Sequence, residues 1–280
     1  ILIVLSVLIA VYSVTRPGAM EGVKYFLVPN VKNFSWMTVV AAMGQMFYSL
    51  SIAMGILITF GSYMKKETSL EDSTRNVEVF DTAIAIMAGL MIIPAVFSFS
   101  GGDPDTLQAG PALMFITIPK VFENMGFGTV VGILFFLLVL FAAVTSSIAL
   151  TESAVSTFED ELGWSRRRAT VLVGVIMIAL GSLSSLGYGP LVGIKIIGMQ
   201  FLDFFDFLTN SVMMPIAAML TSLFVSRIVG MKRMEEEIMH GESTFRRKKI
   251  FIVMIKYLCP LFAAIILISS VANAFGIITM

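Results

Sequence analysis

Residues 44–55 read GQMFYSLSIAMG and sit in the middle of an uncharged run from about 38 to 64. A hydrocarbon core about 30 Å thick is crossed by roughly 20 apolar residues of helix, so a run of this length can span a bilayer. Gly44, Gly55 and the hydroxyls of Ser49 and Ser51 lower helix propensity at one depth. Either the helix breaks there, offering free carbonyls to a cation and free N–H groups to a carboxylate, or the small residues serve close helix packing.

Working outward, further long apolar runs lie at approximately 77–100, within a helix expected over 70–100, and at 127–158, 168–187, 195–226 and 250–276, and a shorter one at 1–14 opens the chain. That first run gives about 21 Å of helix, too short to cross unaided, and it lacks the basic flank and small-residue cleavage site of a signal peptide. It begins without Met and reads as a chain entered inside a helix. The whole of 1–280 is expected to be one transmembrane domain, itself partial.

The composition agrees with this reading. Hydrophobic residues make up 57% of the 280 and charged residues 14%, while 19 basic and 19 acidic side chains cancel. A soluble domain has about 45–50% apolar residues, and a nucleic-acid partner would require a basic stripe. One Cys and one His leave no disulfide framework and no zinc or haem ligand set. No nucleophile has a plausible base, since His240 lies in a charged linker, so an enzyme is not expected; nor is an organic cofactor.

If the runs alternate across the membrane, thirteen Lys and Arg fall in one set of loops and five in the other. The positive-inside rule places the richer set, loops 65–76, 159–167 and 227–249, in the cytoplasm. Thr68 to Glu71 reads as a capping box that opens the third helix. The basic end of the linker, Arg246 to Lys249, reads as a solvated anchor or as a contact to anionic headgroups. The stretch 101–126 is rich in Gly and Pro yet apolar, and is expected to be a capping or re-entrant loop on the outer side.

Polar groups inside apolar runs cost several kcal/mol each when uncompensated, so they mark where function is expected. Asp81 falls about 18 Å along a helix capped at Thr68 or Ser69, near mid-bilayer. It needs Na⁺, a proton or a cation from another helix, or else a structural hydrogen bond. Thr145 and Ser146, with the carbonyl of Ala142 one turn earlier, can converge on a hard cation; Thr and Ser in helices also simply bond back to the preceding turn. Glu152 reads as a helix-to-helix hydrogen-bonding group or as part of an inner pathway. Asp203 and Asp206 share one face near an outer helix end, as a gate or as solvated termini.

Taken in order, RPGAMEGVKYFLVPN, GQMFYSLSIAMGILITFGSYMKK, AGLMIIPAVFSF, AGPALMFITIPKVF, FAAVTSSIALTES with FEDELGWSRRR, and FLDFFD resemble the bacterial neurotransmitter:sodium symporters of the leucine-transporter type. The resemblance implies an all-α, polytopic transmembrane, inverted-repeat fold. Of this fold the chain would hold helices 5 to 11: the end of repeat one, all of repeat two and one further helix. Helices 1 to 4 of the same protein, and with them half of each binding site, are expected outside it.

Residue by residue, the resemblance implies one Na⁺ site with Ser49 and Asp81, and a second with the Ala142 carbonyl, Thr145 and Ser146. Tyr48, Ser49, Ser51, Met54, Ser146 and Leu150 would line an amino-acid pocket, with Tyr48 as its lid. Asp206 would be the acidic half of an outer gate, and Asp160, with Tyr63 nearby, that of an inner gate. Ala53 stands where the family commonly has Gly. Asp81 stands where chloride-dependent members have Asn, and Ala85 where they have a chloride-binding Ser, which implies chloride independence. The implied function is sodium-coupled import of a neutral, hydrophobic or aromatic amino acid across a bacterial plasma membrane; an amino-acid sensor or scaffold without flux is the alternative.

Overall fold

The computed structural model describes residues 2–101, 110–123, 126–241 and 244–277. Among these the secondary structure is helical apart from turns and one isolated bridge. The helices are α1 (Leu2–Val14), α2 (Ala19–Leu27), α3 (Trp36–Ser49), α4 (Ile56–Ser62), α5 (Leu70–Ser100), α6 (Ile118–Glu123), α7 (Gly128–Leu162), α8 (Arg166–Leu186), α9 (Phe201–Val229), α10 (Met231–Ile238) and α11 (Lys248–Ala274). By length and composition α5, α7, α8, α9 and α11 can each cross a membrane, and only 6% of the most apolar window of α7 is buried within the chain. Side chains so apolar and so exposed require lipid or further protein around them.

The chain divides into two compact units, Ile1–Phe34 with Val77–Ser147, and Ser35–Asn76 with Ile148–Met280. In the first, Ile9 and Ala10 of α1 pack on Met91, Ala95 and Val96 of α5, and Ile118, Val121 and Phe122 of α6 on Val131 and Phe135 of α7. Ser13 donates to the Met91 carbonyl at 2.8 Å and Ser98 donates to the Pro17 carbonyl at 2.8 Å. These two stitches straddle Pro94, whose missing N–H interrupts the α5 ladder. Pro17 and Gly18, at φ 79°, turn the chain by 116° from α1 into α2. Gly22 then lies so close to α5 that a Cβ would sit 2.9 Å from Cα of Pro94.

In the second unit, Phe47 of α3 is buried against Ala218 of α9 and Ala263 and Ile266 of α11. Small residues at such a crossing let backbones approach where no hydrophobic force drives helices together. Val155 of α7 packs on Ala169 and Val173 of α8. The linker after α9 folds back onto the start of α5: Glu71 accepts the Arg246 N–H at 3.1 Å and faces the Arg247 guanidinium at 4.0 Å, while Lys248 pairs with Glu235 at 2.5 Å. Two of the four basic residues at this end are therefore committed to carboxylates of the chain.

Three local expectations shift. The cap of α5 is Ser69, whose hydroxyl accepts the Asp72 N–H at 3.0 Å, one residue later than the box starting at Thr68. The helix expected from 195 begins at Phe201, because Ile197 at φ 52° and Gly198 at φ 79° form a tight left-handed turn closed by reciprocal 2.9 Å bonds between Ile196 and Met199. Of the loop expected over 101–126, residues 102–109 and 124–125 lie outside the described residues; the part from Leu113 to Glu123 is helical.

Candidate functional site

The long run centred on residues 44–55 is two helices. The Ser35 hydroxyl caps α3 in a reciprocal pair with Thr38, and the helix ends at Ser49. The Ser51 N–H bonds the Tyr48 carbonyl and the Ile52 N–H bonds the Phe47 carbonyl, both at 3.0 Å; the ladder resumes with Thr59 N–H to the Gly55 carbonyl at 3.0 Å. Ser51 (φ 54°), Ala53 (φ 64°) and Gly55 (φ 80°) are all left-handed. An L residue in that region costs roughly 1–2 kcal/mol, so the two non-glycine positions hold strain that their surroundings must sustain. Ile52 and Ala53 pack against the Phe47, Ala218 and Ile266 cluster, which supplies that support.

The second half-helix is held differently. A Cβ on Gly55 would lie 2.6 Å from the Ser153 hydroxyl of α7. One turn on, Thr59 reaches the Ser153 hydroxyl at 3.5 Å and the Ser156 hydroxyl at 3.3 Å, with Thr59 and Ser153 both buried. At its end, the Tyr63 hydroxyl donates to Glu152 at 2.7 Å. Glu152 also receives Arg166 at 2.5 Å, and Arg166 reaches Glu159 at 3.3 Å. Glu152 is thus a helix-to-helix hydrogen-bonding group joining the end of α4 to α7 and α8.

The remaining expected residues are placed as follows. Tyr48 and Ser49 end α3, and Ser51 and Met54 lie in the break itself. The Thr145 hydroxyl stands 2.9 Å from the Ala142 carbonyl and 3.0 Å from that of Phe141, so it bonds back along α7 and brings two of the expected cation oxygens together. Ser146 and Leu150 are exposed on α7. Asp81 is half-buried on α5, eleven residues after Leu70. Asp206 accepts the Asn210 amide at 2.5 Å. The Tyr188 phenol is raised above its ordinary value, by burial first and by the negative charge of the Asp203 carboxylate second. Asp160 is exposed with no hydrogen bond or ion pair among the described residues; the carboxylate Tyr63 meets is Glu152.

Sequence reasoning passed over Gly55, Thr59, Ser153, Ser156 and Arg166 as a set. A signal was present, since Gly55 and Thr59, and Ser153 and Ser156, repeat small or hydroxyl residues at helical spacing, the pattern of close membrane-helix contacts. The pairing of one strip with the other is a long-range fact that spacing does not reveal.

A polytopic helical membrane protein with one helix opened in mid-course, left-handed residues in the gap and hydroxyls on a neighbouring helix has the architecture of a secondary transporter. The profile of the Sodium:neurotransmitter symporter family matches residues 1–277, and the chain belongs to that family. It is 32% identical over its whole length to the uncharacterised sodium-dependent transporter YhdH of Bacillus subtilis, covering 60% of that protein. To a sodium-dependent transporter of Haemophilus influenzae it is 33% identical, covering 92% of this chain and 55% of the relative. The crystal structure of MhsT in complex with L-phenylalanine matches 96% of the chain with TM-score 0.82 and 34% identity, and the chain covers 60% of it. The fold is therefore of the leucine-transporter type, and the chain spans 55 to 60% of the length of these relatives.

Proposed function

We propose that the chain takes part in sodium-coupled import of a neutral, hydrophobic or aromatic amino acid by alternating access. The observation that carries this reading is the break at residues 50–55, where the chain leaves helical geometry between two differently anchored half-helices. Helix ends opened within a membrane present carbonyl oxygens to cations and N–H groups to carboxylates. Membership of a sodium symporter family and likeness to a protein whose structure holds L-phenylalanine support both the coupling ion and the substrate class.

In this reading Ser49 and Asp81 hold one Na⁺, and the Ala142 carbonyl with Thr145 and Ser146 holds a second. Tyr48, Ser49, Ser51, Met54, Ser146 and Leu150 line the pocket. Asp206 belongs to the outer gate, and Asp160 and Tyr63 to the inner one. The fixed charge of Asp81, with Ala85 one turn on, takes chloride's electrostatic place, so transport is chloride-independent. The protein sits in the bacterial plasma membrane with loops 65–76, 159–167 and 227–249 in the cytoplasm.

Uptake of labelled amino acids by the full-length protein in proteoliposomes under an inward Na⁺ gradient tests this directly. Gradient-dependent accumulation is expected, against binding without accumulation for a sensor. A ligand shifts a conformational equilibrium only through unequal affinity for its states. Asp81→Ala should therefore raise the Na⁺ concentration needed for substrate binding, and an unaltered Na⁺ dependence would remove Asp81 from the site.

A further inference from the structure

The run Arg166–Arg167–Arg168 opens α8, and its three members are used unequally. Arg166 is committed to Glu152 and Glu159. Arg167 and Arg168 are exposed and make no hydrogen bond or ion pair among the described residues. They border an open groove of about 590 Å³ lined by Trp164, Ser165, Val171, Leu172 and Val175. Below the two guanidinium groups the groove is apolar, with Val171 and Val175 each 59% exposed. From Arg168 to Val175 the helix advances about 10 Å.

Trp164 forms one end of the groove. Its ring stacks on Phe158 at 5.4 Å and 14°, which fixes an indole at the turn between α7 and α8. Trp is favoured at the level of lipid headgroups, and long runs of Lys and Arg favour the leaflet with anionic lipid. Two unpaired cations above an apolar wall, beside an interfacial indole, match one chemistry: a negatively charged headgroup carrying an acyl chain. We infer that this groove binds an anionic glycerophospholipid, its phosphate between Arg167 and Arg168 and an acyl chain along Val171, Leu172 and Val175. The charge argues for the anionic class, because a zwitterionic headgroup neutralises its own phosphate and leaves a net cationic surface. This inference rests on the membrane reading of the chain and not on the transport proposal.

The test is native mass spectrometry of the chain from micelles containing equal phosphatidylglycerol and phosphatidylcholine. Phosphatidylglycerol should be retained preferentially. Arg167→Gln with Arg168→Gln should lower that retention by at least about tenfold, on the scale of one basic contact each. Lys65→Gln with Lys66→Gln, an exposed basic pair elsewhere, should leave it unchanged. Val175→Trp, which fills the apolar wall and leaves the charges, should also lower it, with helix content by circular dichroism intact. Equal retention of phosphatidylcholine, an equal effect of the Lys65 and Lys66 pair, or displacement by millimolar inorganic phosphate would overturn the inference. So would a dimer in lipid-free detergent that Val175→Trp abolishes, since a second copy would then be the occupant.

Discussion

Gly55 faces Ser153 so closely that a methyl group at its Cα would come within 2.6 Å of the serine hydroxyl, and its backbone is left-handed at φ 80°. Two independent constraints thus select glycine where α4 begins. Gly55→Ala should destabilise the protein by more than the roughly 1–2 kcal/mol of left-handed strain alone, because the contact with α7 must open as well. Thermal unfolding in detergent reads the loss, and Ser153→Ala in the same background should recover part of it.

The neighbouring position behaves in the opposite sense. Ala53 is left-handed at φ 64° and only partly packed. Ala53→Gly removes strain of roughly 1–2 kcal/mol, loses up to about 0.8 kcal/mol of methyl burial and adds unfolded-state freedom of similar size. Stability should change by less than about 1 kcal/mol, so any change in substrate preference of the full-length protein would reflect pocket shape. A melting temperature that falls as far as that of Gly55→Ala would refute the assignment of strain.

Thr59 couples α4 to Ser153 and Ser156 through buried hydroxyls. Interhelical hydrogen bonds in membrane proteins are worth about 0.6 kcal/mol on average by double-mutant cycles. Thr59→Val combined with Ser153→Ala should give a coupling energy of that order. Additivity of the two substitutions would show that the hydroxyls are neighbours without interaction.

The Tyr63, Glu152 and Arg166 cluster ties the end of α4 and the start of α8 to α7. Glu152→Gln keeps an acceptor for Tyr63 and removes the charge that attracts Arg166. Hydrogen exchange should then rise at the turn between α7 and α8, residues 162–166, and remain unchanged across α3. Because Arg166 is largely exposed, high salt should produce part of the same effect in the unaltered protein.

Much of this was legible in the sequence wherever chemistry is local. Ser and Gly clustered at one depth leave a break near Ser51 and close helix packing both open, and the structure shows the break; the long apolar runs correspond to α5, α7, α8, α9 and α11. The sequence leaves both Thr68 and Ser69 open as the cap of α5, and the Asp72 N–H bond selects Ser69. The start of α9 was missed because Ile196 and Ile197 are apolar yet flank a left-handed turn at Gly198. The helix α2 was not foreseen at all: AMEGVKYFL is short and mixed in character, and its contact with Pro94 depends on a partner about 70 residues away. For Glu152 the sequence leaves two roles open, and its hydrogen bonds to Tyr63 and Arg166 depend on partners in other helices that spacing does not reveal.

Pro94 carries one more consequence. A proline in a long helix is commonly a joint, but here the chain is pinned on both sides of it, by Ser13 of α1 at Met91 and by Ser98 at Pro17 in the turn between α1 and α2. The segment around Pro94 therefore acts as a fixed bracket and not as a free joint. Paired spin labels flanking it, at residues 88 and 99, should report a single narrow distance in every ligand condition, giving a stationary ruler against which displacement elsewhere in the molecule can be measured.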